Sequence, residues 1–88
     1  FTQRISQRWK QHRSSVWSDS SLLATIDETV RLLEDAQTRN FERWPVLGEY
    51  VWPNDLNAEN RQTYEEEVLY LKEWILARTT WLDETLSN

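Results

Sequence analysis

Apolar positions recur at helical spacing in three stretches of the chain. In the first, Phe1, Ile5, Trp9, His12 and Val16 follow at three- and four-residue steps. At about 100° per residue they share one stripe, with Arg4, Lys10 and Arg13 off it, so a helix over 1–16 is expected. The run Trp17-Ser18-Asp19-Ser20-Ser21 then offers hydroxyls and a carboxylate, which favour caps over helix interiors. Ser18 is the expected N-cap of a second helix over 19–40, with Asp19 placed to meet the helix dipole. Leu22, Ile26, Val30 and Leu33, widened by Leu23, form its apolar stripe. A link of a few residues predicts that the first two helices pair antiparallel.

The third helix, over 64–86, carries the clearest start signal. Thr63-Tyr64-Glu65-Glu66 fits a capping box, in which the Thr63 hydroxyl accepts from the Glu66 amide and the Glu66 carboxylate accepts from the Thr63 amide. This helix is apolar around most of its circumference. Tyr64, Val68, Leu71, Ile75 and Leu82 make one seam, and Tyr70, Trp74, Ala77 and Trp81 make a second about 100° away. Leu69 and Leu76 lie seven apart on the remaining side. They are either ordinary surface leucines or a contact with the rest of a larger protein.

Between the second and third helices, residues 41–62 hold the only Gly and both Pro of the chain. Each Pro follows a Trp, in Trp44-Pro45 and Trp52-Pro53, which steers those Trp away from α geometry. An ordered strap is expected, pinned by Trp44, Val46, Leu47 and Trp52, with the polar stretch 54–61 its most mobile part. The fold class that follows is all-α: a single domain over 1–88, a three-helix bundle with a long Trp-Pro-rich connection.

Composition narrows the chemistry. The 88 residues include six Trp and neither Cys nor Met, which excludes a disulfide framework and thiolate metal sites. No apolar run approaches the ~20 residues that span a bilayer. The net charge of −5 divides into +4 over residues 1–17 and −9 over the remainder. An acidic balance disfavours nucleic acid as a partner. No Gly-rich phosphate loop or metalloprotease motif is present. His12 sits on an apolar stripe as a packing residue, and Glu65, Glu66 and Glu67 point in different directions. No catalytic, cofactor-binding or metal-binding residues are therefore expected. Large rings build a small core directly, which assigns Trp9, Trp44, Trp74 and Trp81 to packing. Trp17 and Trp52, with Leu69 and Leu76, remain as the candidate partner surface.

The stretch Asn40-Phe41-Glu42-Arg43-Trp44-Pro45-Val46-Leu47-Gly48, then Tyr50-Val51-Trp52-Pro53-Asn54, Thr63-Tyr64-Glu65-Glu66-Glu67-Val68 and Tyr70-Leu71-Lys72-Glu73-Trp74, resembles the C-terminal end of the spore coat protein H (CotH) family. Arg78, Trp81-Leu82-Asp83, Arg8-Trp9 and Ile26-Asp27 extend the likeness over nearly the whole chain. The resemblance implies a secreted or surface-associated parent with an atypical kinase-like fold, transferring phosphate from ATP with a divalent metal. The family's nucleotide- and metal-binding residues lie upstream of the matched region, so none is carried onto this sequence. With Phe1 in place of an initiator Met, the chain reads as a C-terminal piece of such a protein, extracellular or at the cell or spore surface. The expected role is non-catalytic: packing against the rest of the parent chain or holding another protein, with no cofactor of its own. The alternative is an autonomous carbohydrate- or protein-binding module that uses exposed aromatic rings, with polysaccharide among its partners.

Overall fold

In a computed structural model, residues 1–54 and 56–87 are described. Those residues form four α-helices, Thr2–Arg13 (α1), Asp19–Leu32 (α2), Glu34–Arg43 (α3) and Tyr64–Thr85 (α4), with a 3-10 helix at Leu56–Asn60 and no strand among them. The all-α class holds. The three-helix bundle does not, because the second apolar stretch divides and α1 stops early.

Local chemistry explains both departures. Past Arg13, the Ser14 and Ser15 hydroxyls donate to the Gln11 carbonyl at 2.9 and 3.1 Å. These side-chain bonds compete with the helical ladder, and the chain turns before Val16. In α2, Thr25 and Thr29 donate to the carbonyls four residues back, a pattern that bends helices. The apolar stripe of α2 then runs out, since the next position on it after Leu33 is Gln37. Leu33 (φ −95°, ψ 5°) is the hinge, and Glu34 and Asp35 restart α3 where acids suit a helix N-terminus. The bend carries α3 round the start of α4, where the Phe41 and Tyr64 ring centroids lie 6.1 Å apart.

Both expected N-caps form. The Ser18 hydroxyl accepts from the Ser21 amide at 3.3 Å, and Thr63 accepts from the Glu66 amide at 3.1 Å. The reciprocal half of the capping box shifts by one residue: the Glu66 carboxylate accepts from the Gln62 amide and the Thr63 hydroxyl.

The main packing is α2 against α4, with α3 continuing from α2. The expected antiparallel pairing of the first two helices is replaced by an attachment of α1 to the far end of α4. The result is a flat body, 48 × 28 × 17 Å, about two helices deep. Its radius of gyration is 16.4 Å, against about 12 Å for a compact chain of this length. With no third layer, burial is sparse: only Ala58, Ser6 and Thr79 are buried among the described residues, and no large side chain is fully enclosed. Thr79 satisfies its hydroxyl on the Ile75 and Leu76 carbonyls.

The connection is held differently from the expected strap. Trp44 and Trp52 are exposed, at 54% and 80%, and Val46 is exposed as well; Leu47 is half-buried. The fixed points are further on. Ala58 is buried in the 3-10 helix, and the Arg61 guanidinium bonds Glu67 at 3.0 Å and the Asn57 carbonyl. Contacts with the rest of the fold thus come from within the polar stretch 54–61, of which Asp55 lies outside the described residues. Gly48 turns the chain with φ +79°, and a Cβ there would meet Gln62 Cγ at 3.0 Å and Gln62 Cα at 3.3 Å. Gly48→Ala is therefore expected to destabilise the fold by about 1–2 kcal/mol, read as a lower unfolding midpoint in denaturant.

Candidate functional site

Three features of the surface could meet a partner: a polar junction, an aromatic cleft beside it, and an uncovered seam on α4. The junction forms where α1, the N-terminus of α2 and the C-terminal end of α4 meet. Asp83 sits near the end of α4 whose dipole disfavours a carboxylate, and the last turn of α4 has no basic residue. Arg13 supplies the missing charge from α1. Its Nε donates to both Asp83 oxygens at 3.1 and 3.2 Å, its Nη2 to Asp19 at 2.7 Å and its Nη1 to the Trp17 carbonyl at 2.7 Å. One guanidinium thus ties three elements. The Trp9 indole N–H adds a bond to Asp83 Oδ1 at 2.7 Å. The Arg13 hydrogen bond holds the Asp83 carboxyl below its ordinary range, with the Trp9 bond assisting and burial opposing. The same pairing raises Arg13.

The Asp83 bond orients the Trp9 ring, and a cleft of about 420 Å³ opens beside it. Trp17 stands 5.8 Å from Trp9 and 4.8 Å from His12, centroid to centroid. Ile5 and Leu86 complete an apolar floor, and Arg4 and Arg8 stand at the rim. Tryptophan 17, a candidate from the sequence, is 44% exposed here.

On α4, the first seam faces inward: Tyr64, Val68, Ile75 and Leu82 are half-buried, though Leu71 is exposed. The second seam is uncovered. Tyr70, Trp74 and Trp81 are 38%, 54% and 49% exposed, and Ala77 between them is open as well. Trp74 and Trp81, seven residues apart, differ by about 20° around the helix. Arg78 lies over the Trp81 ring at 4.4 Å, and Arg61 over the Tyr70 ring at 3.8 Å.

These positions correct the assignment of Trp44, Trp74 and Trp81 to the core. Trp9 alone of the four is half-buried. The physical cause is coverage: α4 is apolar nearly all round, while α2, α3 and the end of α1 cover one side of it. Of the sequence candidates, Leu69 is 55% exposed and lines an open groove with Val30, Arg31 and Lys72, whereas Leu76 is half-buried. Trp52 lies in the connection. Leu69, Leu76, Trp17 and Trp52 are not brought together on one surface feature. The seam is the feature that sequence reasoning misplaced. Its signal was already visible as a second apolar stripe on one helix.

No three His, Asp or Glu side chains converge to hold a metal ion among the described residues. None of their helices is long and apolar enough to cross a membrane. A sequence model described as CotH kinase protein matches residues 1–82. No curated protein and no solved structure matches the chain.

Proposed function

The chain belongs to the CotH kinase protein family, and we propose that these residues serve it as a non-catalytic helical part that packs on a kinase-like body through the α4 seam. The observation that carries this reading is surface in excess. The chain exposes 7077 Å², against about 5,500 Å² for a compact monomer of its mass. The difference, roughly 1,500 Å², exceeds the ~800 Å² that one partner contributes to a standard stable interface. Large apolar side chains supply part of that surface, and exposed apolar patches of this kind mark interaction sites. Trp74, Trp81 and Tyr70 are the side chains proposed to make the contact.

The kinase-like activity, transfer of phosphate from ATP with a divalent metal, is proposed for the rest of the parent chain. Among the described residues, no three carboxylate or imidazole side chains converge as that metal would require. Arg61, Arg78 and Lys72 are engaged with Glu67, Trp81 and Asp27. The same family premise supports a location outside the cell or on the cell or spore surface. Titration of the 88-residue chain with ATP and magnesium tests the assignment. No binding is expected at millimolar nucleotide, while the full-length protein binds. Metal-dependent binding by the 88 residues alone would overturn the non-catalytic reading.

A further inference from the structure

The cleft between α1, the 14–18 turn and the end of α4 is apart from the seam. Leu86, in its floor, lies about 140° around the helix from Trp81. Its lining is specific in what it contains and what it lacks. The floor is Ile5, Trp9, His12, Trp17 and Leu86, with Arg4 and Arg8 at the rim. Among the described residues, no carboxylate, amide or hydroxyl side chain lines it. The Trp9 N–H is committed to Asp83. Arg4 and Arg8 are one helical turn apart on an exposed face, and residues 1–17 contain no acid to neutralise them.

From this arrangement we infer that the cleft docks a short acidic peptide segment of a partner protein, with one large apolar side chain of that segment inserted between Trp17 and Ile5. Two features select this occupant. The apolar floor takes an aromatic or branched aliphatic anchor, the type of side chain that dominates interface energetics. The two guanidiniums at the rim complement carboxylates flanking that anchor, and no acidic side chain lines the cleft among the described residues. A sugar ring fits less well. It stacks on indole but carries a ring of hydroxyls that need partners, and the described lining offers the two arginines, the His12 imidazole and the Trp17 N–H, with no carboxylate or amide to fix them. The seam reading is not required: this surface would act whether or not α4 docks on the parent body.

The probe is a fluorescein-labelled decapeptide of Asp and Glu with a single central Phe, followed by anisotropy on the full-length protein. Saturable binding is expected. It should weaken about ten-fold in Trp17→Ala, about ten-fold in the Arg4→Glu/Arg8→Glu pair, and further as salt shortens the Debye length. The altered side chains are exposed and engage no other element of the fold through the Arg4 and Arg8 positions, so circular dichroism of the two variants should match the parent. A peptide with central Ala should bind at least about ten-fold more weakly. Three results would overturn the inference: no saturable binding at millimolar peptide, equal binding of the Phe and Ala peptides, or binding that survives both sets of substitutions. Binding of an oligogalacturonate at this cleft in place of the peptide would overturn the partner class.

Discussion

Replacing Trp74 and Trp81 together by Glu is expected to destabilise the full-length protein by about 4 kcal/mol more than it destabilises the 88-residue chain. The asymmetry follows from where the indoles stand. Each is about half exposed in this chain, so on the order of 100 Å² per ring remains to be covered, worth about 2–3 kcal/mol each. A Glu in its place would remove that gain and bring a charge into the contact. Within the 88 residues the loss is limited to the half of each ring already covered and the Arg78 contact on Trp81, and both forms share that loss. Thermal unfolding of both proteins, with and without the substitutions, reads the difference as a midpoint drop larger by several degrees in the full-length form. Leu69→Glu provides the comparison. It lies on another side of α4, beside Lys72 and Arg31, and is expected to cost under about 1 kcal/mol in either context.

The second large effect is expected at the junction. Arg13→Ala should lower stability by about 2 kcal/mol and release α1, because it strips Asp83, Asp19 and the Trp17 carbonyl of one shared donor. Both carboxylates keep water contact, at 58% exposure for Asp19 and 42% for Asp83, which limits the loss to that scale rather than the larger penalty of a buried unpaired charge. Arg13→Lys should recover only part of it, since an ammonium cannot present the same fork of donors to three acceptors. The pH dependence has a definite sign. Asp83 is held below its ordinary range in the folded chain, so its contribution is complete above about pH 4, the unfolded carboxylate value, and falls away as pH drops through the lower folded value. The stability gap between the unsubstituted chain and Arg13→Ala, read as denaturant midpoints at successive pH values, should therefore be full above about pH 4 and close as the pH drops through the lower folded value of Asp83.

Much of the secondary structure was legible because it is written in local chemistry. Ser18 and Thr63 cap where side-chain oxygens meet free amides, and α4 begins and ends within a residue of its expected limits. The hinge at Leu33 was not legible, since no Gly or Pro marks it. It arises from threonine back-bonding and from a stripe that loses its apolar partner at Gln37. The shifted capping-box contact is of the same kind, a choice between neighbouring amides that spacing leaves open.

Site information was legible in part. Two apolar seams on one helix were plain from the order of Tyr70, Trp74, Ala77 and Trp81. Whether the second seam is buried depends on how many other elements the chain can lay against it, and that is a tertiary matter. The expectation that large rings build a small core assigned Trp44, Trp74 and Trp81, with Trp9, to packing. The flat, two-helix-deep body leaves them in water instead. The Trp9–His12–Trp17 cleft was hidden for a related reason. It depends on the early end of α1, which brings Trp17 back beside His12, and on Asp83 orienting Trp9 from 74 residues away.

The central claim is the proposed docking: the α4 seam, exposed in these 88 residues, is covered in a longer parent protein. Hydroxyl-radical footprinting resolved to single residues by mass spectrometry tests it directly. Trp74 and Trp81 should oxidise readily in the 88-residue chain and be protected several-fold in the full-length protein, while Trp52 reacts alike in both. Equal reactivity of Trp74 and Trp81 in the two proteins would contradict the account.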